Sequence, residues 1–89
     1  MHFEWDDGKN DRNVAKHGLN FMLAHDFVWH DAVIFDRSHS MDGEQRFVAV
    51  GLLNGKYHTI VFTRRGAKTR IISLRCANKQ EESVYEKNT

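Results

Sequence analysis

RFVAVGLLNGKYHTIVFT, residues 46–63, reads as two β-rich runs joined by Asn54-Gly55. Asn and Gly both tolerate the positive φ of a two-residue type I′ turn, and the flanking runs are rich in β-branched and aromatic residues. If Leu53 pairs with Lys56, Arg46 falls opposite Thr63, and Val48, Val50, Leu52, Tyr57, Thr59 and Val61 share one face of the hairpin. That face is mostly core. The other face mixes Phe47, Ala49, Ile60 and Phe62 with Lys56, His58 and Arg64.

Two more strands extend the sheet, Val33 to Phe35 before the hairpin and Thr69 to Cys76 after it, alongside Arg46 to Leu53 and Lys56 to Thr63. An even-length turn around Arg65-Gly66 places Arg70, Ile72, Leu74 and Cys76 on the Val48 face and gathers Arg46, Thr63 and Arg70 toward one end. Before the strands, an extended start at Phe3 to Trp5 leads to a short helix capped by Asp11 and ended by Gly18, with Val14 and Ala15 inside it. Asn20 caps a second helix, in which Phe21, Ala24, Phe27 and Val28 form an apolar stripe. After the strands, Asn78 caps a short helix reaching Glu86. The expected fold is α+β: two short N-terminal helices, a four-stranded, mainly antiparallel sheet and a C-terminal helix, in a single domain over residues 1–89.

A chain of 89 residues buries enough surface for one core. Its single Cys76 excludes an internal disulfide framework, and no apolar run has the length of a membrane span, so a cytoplasmic protein is expected. No His pair has zinc-ligand spacing, and Ser73 lacks the glycine pattern of a nucleophile elbow, so no metal or cofactor is expected.

Charge is segregated. The stretch FTRRGAKTRIISLRCANK, residues 62–79, contains no Asp or Glu, yet the chain carries a net charge of only +1. The balancing acids are chiefly Glu4, Asp6, Asp7 and Asp11 near one end and Glu81, Glu82 and Glu86 near the other. Phosphate contact would then be local and geometric rather than a bulk attraction, while the plain alternative is a strand pair whose arginines point to water.

Several blocks stand in order along the chain: FEWD at Phe3–Asp6, NVAKHGLNF at Asn13–Phe21, EQR at Glu44–Arg46 and FTRRGAKTRIISLR at Phe62–Arg75. Together they resemble the BrnT family, small bacterial ribonuclease toxins of type II toxin–antitoxin modules. The resemblance implies a RelE-like fold, an RNA substrate and neutralisation by a BrnA-type ribbon-helix-helix antitoxin, which alone would contact operator DNA. It further implies two toxin copies per complex, brought together by antitoxin dimerisation. Leu74, Cys76 and Glu82 depart from the family pattern.

A metal-independent ribonuclease of this kind needs a group to take the 2′-hydroxyl proton, cations to hold the phosphorane and an acid for the leaving oxygen. Arg46, Arg65 and Arg75 are the catalytic cations the resemblance suggests, since guanidinium binds two phosphate oxygens at once. His17 and Glu44 are alternative proton carriers. His17 also fits a helix C-terminal residue facing the last carbonyls, and Glu44 a salt bridge to Arg46. Lys16, Arg64, Arg70 and Tyr85 are the candidate RNA-binding residues, with Tyr85 equally suited to a hydrophobic anchor. A reading from another class is a non-catalytic binding module, or an inactive toxin, that joins the antitoxin in operator binding and autoregulation.

Overall fold

The computed structural model describes residues 1–37 and 45–88. Five strands form one sheet: β1 (His2–Glu4), β2 (Val33–Asp36), β3 (Phe47–Leu53), β4 (Lys56–Arg65) and β5 (Lys68–Cys76), in the spatial order β1-β5-β4-β3-β2. Two α-helices, α1 (Asp7–His17) and α2 (Lys79–Lys87), accompany it, with 3-10 turns at Phe21–His25 and Trp29–Asp31. The α+β class holds. The hairpin forms as its turn residues dictate, with φ of 52° at Asn54 and 79° at Gly55, and pairs Leu53 with Lys56 through to Phe47 with Phe62.

The architecture corrects the four-strand expectation. His2–Glu4 is a fifth strand that runs parallel to β5, pairing Phe3 with Thr69 and making the sheet mixed. Three residues give no periodicity, and their partner lies at the other end of the chain. The first helix begins earlier than expected, because Asp6 rather than Asp11 caps it, accepting from the Lys9 amide at 2.9 Å. Gly18 ends it in the left-handed region, at φ 72°. The second expected α-helix is a five-residue 3-10 turn. Asn20 does cap it, but Phe27 bridges to Leu53 and the Val28 amide donates to the Leu52 carbonyl, so the backbone leaves the helical path to pair with β3.

The larger core lies on the face that the sequence pattern left mixed. Ala49, Leu53, Ile60, Phe62, Ile71 and Leu74 pack there against Phe21, Ala24 and Phe27, under a rim that includes Phe3, Trp5 and Trp29. Aromatic residues from the N-terminal third thus cover it. Gly51 sits where Phe27 crosses β3: a Cβ there would meet the ring at 2.8 Å and the Ala32 methyl at 3.3 Å.

A β-bulge interrupts the β4–β5 ladder. Val61 pairs with Ser73 but Phe62 pairs with Ile71, leaving Ile72 as the extra residue. The even turn at Gly66 does set Arg70 opposite Thr63, yet beyond the bulge the parity reverses. Leu74 and Cys76 therefore join the Ile60 face, contrary to the simple alternation, and Ser73 and Arg75 take the Val48 face. Beyond β1, the exposed edge of β5 is closed by a side chain of α1. The buried Asn13 amide accepts from the Leu74 N–H at 3.2 Å and donates to the carbonyls of Leu74 and Leu19, both at 2.8 Å.

On the Val48 face, α2 is fastened at both ends. Tyr85 is buried with Val48 and Val50 and meets the Tyr57 ring edge-on at 5.4 Å between centroids. Glu81 accepts from the Asn78 amide in a capping box, from the Thr59 hydroxyl at 3.0 Å and from both Arg75 nitrogens at 2.8 and 2.9 Å. The Arg75 guanidinium, aided by these neutral donors and opposed by burial, holds the Glu81 carboxyl down to about 2 from an ordinary value of 4.5.

Two outcomes follow from this packing. Gly51→Ala should cost about 1–3 kcal/mol, since the Phe27 ring is confined within the core, and chemical denaturation would read it; wild-type stability would show that Phe27 moves aside freely. Because the folded carboxyl has the lower pKa, its stabilisation is complete above pH 4.5 and is lost as pH falls toward 2. Glu81→Gln should accordingly flatten the acid limb of a stability-against-pH curve, and an unchanged limb would assign it to other carboxylates.

Candidate functional site

Strand pairing puts Thr59, Val61, Thr63 and Arg65 of β4 on the same face as Arg75, Ser73, Arg70 and Lys68 of β5. Val48 and Val50 of β3 continue that face, and Arg46, just before β3, follows their alternation. Because α2 packs at the Tyr57 and Thr59 end, the end near the β4–β5 turn is left with Arg46, Thr63, Arg65 and Arg70. Thr63 is buried and donates to the Gln45 carbonyl, which ties the start of β3 to this end.

The three β5 cations, Lys68, Arg70 and Arg75, are held by acids. Arg70 Nη1 donates to Glu4 Oε2 at 2.9 Å, and Lys68 Nζ lies 3.9 Å from Glu4 Oε1, so one carboxylate on β1 orients both. Arg75 is engaged by Glu81 as described, and that pair also keeps its guanidinium charged by raising its pKa. Arg64 is exposed and belongs to the opposite face, where it pairs with Thr69. Tyr85, at 8% exposure, is packed as an anchor, with little ring surface left for a base to stack on. Glu44 lies outside the described residues.

Lys16 and His17 form the last turn of α1, apart from the arginine end but on the same side of β5 as its bulge. They line a groove of about 290 Å³ with Lys9, Arg12, Asn13, Ile72 and Ser73. Ser73 joins the two regions, since it lines the groove and shares the face of Arg70 and Arg75. Lys9 and Arg12 are not among the residues expected from the sequence, and Ser73 is considered there only as a nucleophile and set aside. The recurrence of Lys9, Arg12 and Lys16 at helical spacing was an available signal, whereas the placement of Ser73 depends on the bulge and had none.

A second hollow, of about 340 Å³, lies between β2, β3 and the start of α2, lined by Phe35, Arg37, Val48, Val50, Glu81 and Val84 among others. Beside it Ile34 is 50% exposed and Phe35 37%. Among the described residues no group of three His, Cys, Asp or Glu is placed to hold a metal ion, and no helix is long and apolar enough to cross a membrane.

The arrangement offers several fixed cations on a sheet end beside a groove that contains an imidazole, which suits an anionic, extended ligand. No curated protein matches the chain. The family model described as the ribonuclease toxin BrnT of type II toxin–antitoxin systems matches residues 5–81. That span takes in α1, strands β2 to β5 and Glu81 of α2, and begins just after β1. With four of its five strands and all of its candidate arginines inside the matched region, the chain belongs to the BrnT family of ribonuclease toxins of type II toxin–antitoxin systems.

Proposed function

We propose that this protein is a metal-independent endoribonuclease that cleaves RNA in the cytoplasm and so inhibits translation, on a fold of the RelE type. The observation that carries the reading is the convergence of Arg46, Arg65 and Arg70 at the end of the sheet face that α2 does not pack against. Guanidinium groups fixed there hold the scissile phosphate and stabilise the charge that grows on its equatorial oxygens, the part a metal would play elsewhere. Arg70 is oriented for this by Glu4. Arg75 contributes as a positioning residue, since its pair with Glu81 sets α2 and the far end of the face.

Proton transfer falls to His17 or Glu44. One takes the 2′-hydroxyl proton as the oxygen attacks phosphorus, and the 5′-oxygen leaves with a proton from the conjugate acid or from water. His17 lies in the groove that Ser73 joins to the arginine face, which favours it for a strand passing over the β5 edge. Lys16 and Arg64 add phosphate contacts to either side of the cut.

A BrnA-like ribbon-helix-helix antitoxin neutralises the toxin and carries it to operator DNA, two toxin copies to each complex. The exposed Ile34 and Phe35 beside the β2–α2 hollow give such a protein an apolar foothold. A second reading, a non-catalytic module acting with the antitoxin in autoregulation, draws support from the acids that already engage Arg70 and Arg75.

Expressing the chain without an antitoxin separates the two. Growth arrest with new RNA ends is expected from the wild type, and Arg46→Ala or Arg65→Ala should each lower the cleavage rate about 10²–10³-fold while the fold is kept. Folded wild-type protein that neither arrests growth nor cuts RNA would leave the binding module as the function.

A further inference from the structure

The charges of α1 are sorted around its axis. Lys9, Arg12 and Lys16 recur at the three- and four-residue spacing that stacks side chains on one helical stripe, with Asn13 and His17 beside them, whereas Asp7 and Asp11 lie on the opposite side. The basic stripe faces a groove of about 290 Å³ whose other wall is the bulged stretch Ile72-Ser73 of β5. Among the described residues no carboxylate lines this groove. Lys9, Arg12 and Lys16 are exposed, and among the described residues none of the three is held in an ion pair, unlike Arg70 and Arg75.

We infer that this groove is a second nucleic-acid site, in which Lys9 and Arg12 bind backbone phosphates of single-stranded RNA flanking the cut. The inference rests on the ribonuclease reading above and extends it to residues outside the arginine face. Three cations one helical turn apart, about 5.4 Å of rise, form a row rather than a point, which fits a chain of phosphates better than a lone anion. Among the described residues Ile72 is the one apolar side chain that lines the groove and no Phe, Tyr or Trp does, so the wall lacks the anchors of a protein-docking surface. Ser73 connects the groove to the face carrying Arg70. A strand held at the arginines and leaving across the β5 edge would enter the row at His17 and follow α1 toward Lys9.

The test uses the full chain and a non-cleavable 2′-O-methyl RNA of about 12 nucleotides, within the usual span of a single-strand site. Affinity is followed by fluorescence anisotropy across a salt series for the wild type, for Lys9→Ser/Arg12→Ser and for Asp7→Asn/Asp11→Asn on the opposite side of the same helix. The basic-stripe variant should bind about tenfold or more weakly at low salt, with a log–log salt slope shallower by about 1.4, which corresponds to two phosphates on a single strand. The acidic-side variant should lose no affinity, and thermal melts should show all three proteins folded. An unchanged slope in the folded Lys9/Arg12 variant would overturn the groove, as would a variant that keeps its RNA affinity and loses binding to polyglutamate instead. The two proposals separate cleanly. Slope loss in a protein that leaves unmodified RNA intact would support the groove and remove the nuclease, and cleavage with an unchanged slope would do the reverse.

Discussion

The extra residue at Ile72 determines what β5 contributes to either side of the sheet. Without the bulge, Leu74 would turn toward α2 and Arg75 into the aromatic core, an exchange of a large apolar side chain for a charge that no small domain could absorb. With it, Ile71 and Leu74 both reach the core although they are three residues apart, and Arg70 and Arg75 share the opposite face although they are five apart. The bulge also lies beside the point where Asn13 replaces a neighbouring strand. One amide group meets both backbone groups of Leu74, so the sheet edge is closed by α1 and the groove between them keeps a defined width.

Acidic residues at the two ends of the chain have a shared role in this arrangement. Glu4 on β1 and Glu81 on α2 each take hold of an arginine of β5, from opposite ends of the same face. The near-neutral net charge thus goes with local pairing of β5 arginines to acids from both ends of the chain. A bidentate arginine–carboxylate contact in a partly buried place has directional value beyond its charge, and at Glu81 it works with the capping box to seat a nine-residue helix that has little propensity to form alone.

Local chemistry explains which parts of the fold were legible. Asn54-Gly55 admits few conformations, so the central hairpin and its register could be read from the residues, and so could the caps at Gly18, Asn20 and Asn78. What could not be read involved distant partners. The pairing of β1 with β5, the bridge of Phe27 to Leu53 and the bulge at Ile72 arise from contacts that no window of sequence contains. The site divided along the same line. Arg46, Thr63 and Arg70 were gathered by the hairpin registers, while the environments of Arg75 and Tyr85 depended on how α2 docks, which its sequence alone does not fix.

The parallel pairing of β1 has a bearing on how the protein is made. Glu4 and Arg70 are 66 residues apart, and the strand between them and the rest of the sheet, β5, is the last to be synthesised. Such long-range closure is slow and entropically costly, and it cannot begin until β5 has left the ribosomal tunnel. The clamp of Glu4 on Arg70, the Asn13 seal and the seating of α2 all wait on that event. A nascent chain therefore has no assembled basic face until β5 has emerged to join β1 to the rest of the sheet.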